Sequence, residues 1–127
     1  MSYIKPFRTP EEVAQHKINV KVEREVAAAR AHAARQKAEK RHRCVSWAND
    51  KEILKFYRLA QRLTMETGVP HEVDHIIPLL GRNVSGLHVE NNLQVLERRM
   101  NRSKSNRFDP WAEMVGGESV ELPTYWV

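Results

Sequence analysis

Apolar and polar positions alternate in three different ways along this chain, and each way predicts a different element. From Thr9 to about Arg43 the sequence is rich in alanine and contains no glycine and no proline after Pro10. Thr9-Pro10-Glu11-Glu12 supplies an N-cap residue, a proline for the first turn and acids near the positive helix end, so a long helix is predicted to begin there. Its large apolar residues thin out after Val26, which predicts that much of this helix projects from the body or is mobile without a partner. Val45-Ser46-Trp47 interrupts the pattern. A second helix is predicted over 49–67, opened by a capping box of Asn49 and Glu52. Ile53, Phe56, Ala60 and Leu63 recur along one stripe that Leu54, Tyr57 and Leu59 widen, and Gly68 supplies a stop. This helix, together with Trp47, reads as structural support.

After Val69-Pro70 the period shortens. His71 to His75 reads as a short strand, followed by a turn at Pro78 and Gly81 and a glycine-containing loop. Asn92-Leu93-Gln94-Val95-Leu96 reads as a second strand, and the basic run that follows it reads as a helix carrying Asn101 and Lys104. The fold class expected is α+β and mostly helical. Its parts are a basic helical extension over 1–45, a compact domain over 46–107 and an acidic tail over 108–127.

Composition narrows the partners. The 127 residues carry a formal charge of +5 with a pI near 9.6, which favours a polyanion. No apolar run approaches the roughly 20 residues of a membrane span, so nucleic acid is preferred to a bilayer. The N-terminus lacks the apolar core of a secretory signal, and a cytoplasmic location is expected. Cys44 is the only cysteine, which excludes an intrachain disulfide and any paired-cysteine zinc site.

The order of residues from His71 to Arg107 resembles the HNH nuclease family, whose core is the ββα-metal fold. The resemblance covers roughly 35 residues and rests on the Asp74-His75 pair, on Asn92 opening "NLQVL", and on "NRSKSN" from Asn101 to Asn106. It implies that Asp74 binds a metal, that His75 is the general base, and that Asn92 clamps the loop between the strands. Asn101 then supplies the second ligand, which makes the chain an H-N-N variant similar to small HNH proteins encoded by bacteriophages. A bacterial host cytoplasm and phage DNA-processing partners follow as expectations. Those family members that brace the fold with two CxxC pairs differ from this chain, so the preceding helices are the expected brace.

The residue chemistry agrees with that reading. Asp74 and Asn101 are hard oxygen donors that leave most of an octahedral shell to water and phosphate, which suits Mg²⁺ first and Mn²⁺ next. A histidine with a reference pKa of about 6.5 can take a proton from water at neutral pH. Adjacent strand residues point to opposite faces, so Asp74 and His75 can share a site only where the strand ends or bends. Each residue also has a plainer role: Asn92 as a turn former, Asn101 and Lys104 as members of a solvated basic helix.

Basic residues mark candidate contacts to double-stranded DNA. Five fall between Glu97 and Arg107, namely Arg98, Arg99, Arg102, Lys104 and Arg107, with one Glu among them. Lys104 lies on the same helical face as Asn101 and is the candidate for stabilising the transition-state phosphate. In the loop, Arg82 is a candidate contact, and His88 is open to phosphate binding, a local hydrogen bond or the metal site. Between Lys21 and Arg43, eight Lys or Arg stand against three Glu. This segment is either a solvated helix with pairs such as Arg35 with Glu39 and Glu39 with Arg43, or a helix that tracks the DNA backbone through Arg35, Arg41 and Arg43. The tail carries Asp109, Glu113, Glu118 and Glu121 and no Lys or Arg; it either packs on the core or competes with DNA for the basic cleft.

The function expected is a metal-dependent DNA endonuclease that nicks one strand at a time. Two alternatives stand beside it: a non-catalytic nucleic-acid-binding accessory protein of phage DNA processing or packaging, and an RNA-cleaving variant.

Overall fold

Thr9 opens the first helix as the sequence predicts, with its hydroxyl accepting from the Glu12 amide at 3.0 Å and the Glu12 carboxylate reaching back to the Thr9 N–H. In the computed structural model, which describes residues 9–108, this helix is α1, Pro10–Lys40. It is followed by α2 (Asp50–Thr67), strand β1 (His71–His75), a 3₁₀ turn at Glu90–Asn92, strand β2 (Leu93–Glu97) and α3 (Arg98–Lys104). The class is α+β and mostly helical, with one two-stranded antiparallel sheet. The acidic tail and its proposed packing or autoinhibitory contacts lie outside the described residues.

α1 does not project as predicted. Ala27 and Ala38 are fully buried, and Ala27, Ala31 and Ala34 pack against a core formed by Ile53, Phe56, Tyr57 and Ala60 of α2 with Leu93 and Val95 of β2. The reason lies in the alanines themselves: small side chains repeated every three or four residues let two helix backbones approach closely. The stretch that looked too poor in large apolar residues to pack is the packed one, while Val13, Ile18 and Val22 of the preceding turns stay substantially exposed. Glu23 reinforces the contact from a buried position, with Arg58 Nε at 3.2 Å and Arg62 at 3.0 Å.

Three local expectations need correction. α1 ends at Lys40, and His42 takes a positive φ of 56°, so Glu39 pairs with Arg35 at 3.1 Å while Arg43 turns inward to the Leu79 carbonyl at 3.2 Å. The box at Asn49 is half formed. Its side chain accepts from Glu52 N, but its own N–H goes to the Glu90 carboxylate at 3.1 Å and Glu52 pairs with Lys55. Trp47 supports nothing in the core: it is 66% exposed, on a turn closed by Ala48 N and Val45 O, where Val45 and Ala48 take the more covered positions.

The strand register fixes what faces what. Val73 pairs with Val95 and Asp74 with Gln94. By alternation, Val73, His75, Leu93 and Val95 face α2, whereas Glu72, Asp74 and Gln94 face α3. No helix among the described residues is long and apolar enough to cross a membrane.

Candidate active site

β1 ends at His75, and the chain leaves the sheet there. Ile76 N–H donates to the Asn92 carbonyl at 2.9 Å, and the Asn92 side chain takes over the next peptide. Its Oδ1 accepts from Ile77 N at 2.8 Å, and its Nδ2 donates to the carbonyls of Ile77 and Leu87, each at 2.9 Å. One buried carboxamide thereby ties both ends of the 76–89 loop to the start of β2. Gly86 lets the two strands of the loop close, since a Cβ there would stand 2.1 Å from Ile77 O and 2.8 Å from Asn92 Nδ2. Asn92 makes these bonds from the 3₁₀ turn just before β2.

Asp74 points toward α3. Its Oδ2 accepts from Gln94 Nε2 at 2.8 Å and lies 3.0 Å from the Lys104 ammonium, which also donates to the His75 carbonyl at 3.0 Å. The Asp74 side chain is only 11% exposed. Gln94 is buried, and because its amide NH₂ is drawn to the carboxylate opposite it in the register, its Oε1 is left without a hydrogen-bond partner among the described residues.

His75 points the other way, where its Nε2 lies 2.9 Å from Nδ1 of the buried His88. Burial, helped by His88 and the nearby charges of Lys104 and Arg41, pushes the His75 imidazole down to about 4. Burial likewise lowers His88, with Asp50 acting against the shift and Arg35 with it. Both rings are neutral at pH 7. A tautomer that donates from His75 Nε2 to His88 Nδ1 leaves His75 Nδ1 with the lone pair.

Asp74 and His75 leave the strand on opposite faces, yet both line one cavity because it opens at the uncovered edge of β1. This cavity, of about 560 Å³, also takes Lys37 from α1 and Arg41 from its C-cap, Tyr57 from α2, and Ser105 and Asn106 after α3. An adjoining one of about 460 Å³ takes Arg30, Lys37, Glu72, Arg98 and Asn101. Asn101 is brought to Glu72, with Nδ2 donating to Oε1 at 3.0 Å, rather than into contact with Asp74. Arg98 Nε holds the other oxygen of Glu72 at 2.9 Å.

The remaining predicted contacts divide into committed and uncommitted side chains. Arg35 bridges Glu39 and Asp50 at 3.1 and 2.6 Å, and Arg43 anchors the loop. Arg107 folds back onto the carbonyls of Ser103 and Lys104. Arg41 lines the cleft, Arg82 is exposed on the loop, and Arg99 and Arg102 are exposed beside a separate depression with Val69 and Pro70. Sequence reasoning missed Glu72, Gln94, Arg30, Lys37 and Tyr57. Glu72 carried a usable signal, because it stands two residues before Asp74 and so on the same strand face.

Among the described residues no three or more His, Cys, Asp and Glu side chains are grouped to hold a metal ion. The hard oxygen donors on the α3 side of the sheet are Asp74, Glu72 and the Asn101 amide, of the kind Mg²⁺ takes, with Asp74 paired to the Lys104 ammonium and Glu72 to Arg98.

No family model matches this chain, and no curated protein or solved structure is detectably similar to it.

Proposed function

We propose that this protein is a DNA endonuclease of the ββα-metal type, hydrolysing phosphodiester bonds with His75 as general base and one divalent cation held by Asp74 and Asn101. The observation that carries the reading is the docking of α3 on the Asp74-His75 pair: one Lys104 ammonium reaches the side chain of the first and the backbone of the second. Strand, clamped loop, strand and helix thus bring an imidazole, a carboxylate and a cation to one cleft.

In the proposed step a water oxygen attacks phosphorus as His75 Nδ1 takes its proton. The new O–P bond forms as the P–O3′ bond breaks, and the 3′ oxygen leaves to be protonated from solvent. The products are a 5′-phosphate and a 3′-hydroxyl. The tautomer in which His75 Nε2 donates to His88 Nδ1 leaves His75 Nδ1 as the acceptor, and a buried, uncharged imidazole is in the protonation state a base requires. Asn92 holds the loop that follows His75. A bound divalent ion supplies a Lewis acid for the charge developing on the phosphoryl and leaving oxygens. Lys104, paired with Asp74 and bonded to the His75 carbonyl, holds both residues against α3.

One observation favours a second reading, a nucleic-acid-binding protein that does not cut. Asp74 is already matched by Lys104, and Asn101 by Glu72, so the ligand set is neutralised from within. Incubation of supercoiled plasmid with Mg²⁺, Mn²⁺ or EDTA, beside His75→Ala, separates the two. Metal-dependent nicking that vanishes in the variant is the expected result. DNA binding without nicking under any metal would replace the enzyme by the binding protein.

A further inference from the structure

The groove between α1 and the uncovered edge of β1 is built from two adjoining cavities that share Ala34, Lys37, Tyr57 and Val73. Its α1 wall carries Arg30 and Lys37, with Arg41 at the C-cap of the same helix. On a helix of 3.6 residues per turn these three fall within an arc of roughly 40°, with rises of about 10 and 6 Å between them. All three are exposed, and none has an ion pair or a side-chain hydrogen bond among the described residues, whereas Arg35, Arg58, Arg62, Arg98 and Lys104 are all paired with carboxylates. The acids on the opposite wall are already matched, Glu72 by Arg98 and Asp74 by Lys104. The net field in the groove is therefore that of unpaired cations.

A second observation comes from the floor. Tyr57 is 8% exposed and lines both cavities, yet its hydroxyl has no hydrogen-bond partner among the described residues. Burial pushes its ionisation up, so it remains a donor. Open to the cavity and without a protein partner, this hydroxyl can donate to an incoming phosphate oxygen.

We propose that this groove is a binding site for single-stranded DNA, whose phosphates run along Arg30, Lys37 and Arg41 over Tyr57 and so carry the strand to Asp74 and His75. The proposal deepens the nuclease reading and rests on it for the identity of the polyanion. Size selects the single strand. The two cavities hold about 460 and 560 Å³, room for a few nucleotides of one strand but too little for a duplex to reach Tyr57 on the floor. A single strand fits such a channel, and backbone-tracking cations are how channels of this kind bind without sequence preference.

The test is fluorescence anisotropy of a labelled 15-nucleotide single strand and its blunt duplex with the full chain in EDTA, over a series of salt concentrations. The single strand is expected to bind at least tenfold more tightly. In Arg30→Ala/Lys37→Ala/Arg41→Ala the slope of log affinity against log salt should shrink by about 2, at about 0.7 for each phosphate no longer neutralised. Arg24→Ala, about 120° away around α1, should leave it unchanged, and Tyr57→Phe should weaken strand binding severalfold with no change in Tm. Equal or tighter duplex binding, or an unaltered slope in the triple variant, overturns the proposal. The plasmid assay keeps the two readings apart. Strand binding that depends on these residues without any nicking removes the enzyme and leaves the groove, whereas nicking that survives the triple variant removes the groove alone.

Discussion

Asn92 grips the backbone of Ile77 on both sides, accepting from its N–H at 2.8 Å and donating to its C=O at 2.9 Å. A third bond, to Leu87 O at 2.9 Å, ties in the far end of the same loop. Because the amide is buried, the groups it satisfies have no ready access to water. Asn92→Ala should therefore cost about 2–4 kcal/mol, near 1 for each bond removed. Gly86→Ala should cost a similar amount by driving a methyl into Ile77 O. Urea unfolding at neutral pH checks both, and a loss below about 0.5 kcal/mol, the range of ordinary surface substitutions, would show that the loop is held by something else.

Lys104 and Asp74 form the pair that docks α3 on β1, at 3.0 Å and with side chains only 24% and 11% exposed. Lys104→Met keeps the length of the side chain but leaves the carboxylate with Gln94 as its side-chain partner among the described residues. A loss of about 1–3 kcal/mol is expected, and the double variant Lys104→Met/Asp74→Asn should recover part of it. A double-mutant cycle measures the coupling. Additive effects within about 0.5 kcal/mol would mean that the two side chains are near each other without holding the helix.

Much of this arrangement was legible from local chemistry. Thr9, Asn49 and Gly68 marked helix ends because caps depend on near neighbours. The alternation through His71 to His75 and the apolar run from Leu93 gave both strands. What escaped depends on contacts between residues far apart in the chain. Alanine in a helix is compatible with both solvent and a close helix contact, so the packing of Ala27, Ala31 and Ala34 on α2 had no distinct signature. The rotation of α1 follows from that packing, and with it the choice of Arg30, Lys37 and Arg41, rather than Arg35 and Arg43, as the cations facing the cleft. Trp47 shows the converse: a large aromatic ring invites a core position, but the turn that holds it leaves it outside. In the site, the Asp74-His75 pair was visible, while His88 beneath the imidazole and Gln94 beneath the carboxylate required the loop closure and the register.

Glu23 gives the fold a pH dependence that does not involve the cleft. Burial pushes its carboxyl up, but the hydrogen bonds and charges of Arg62 and Arg58 outweigh that and hold it below the usual carboxylate range. A folded pKa below the unfolded value of about 4.3 means that the unfolded chain binds the proton more readily, so the contribution is complete above that pH. It is lost as pH falls through the lowered folded value. Thermal unfolding from pH 7 to pH 3 should accordingly show a steeper fall in Tm for the parent than for Glu23→Gln, which should already be less stable at pH 7. Parallel curves would mean that other carboxylates carry the acid sensitivity.

Ala27 decides whether α1 is a fixed wall or a loose arm. It is fully buried against α2, and Ala29, two residues on, is exposed. Leucine at the first position adds volume where two helices meet closely and should force them apart, at about 1–3 kcal/mol. At the second position the same substitution meets solvent and should change stability by less than about 0.5 kcal/mol. Comparing Ala27→Leu with Ala29→Leu by urea unfolding thus separates packing from helix propensity, which the two variants alter alike. Equal stabilities would release α1 from α2, and the groove, which needs α1 as its second wall, would then lack a fixed width.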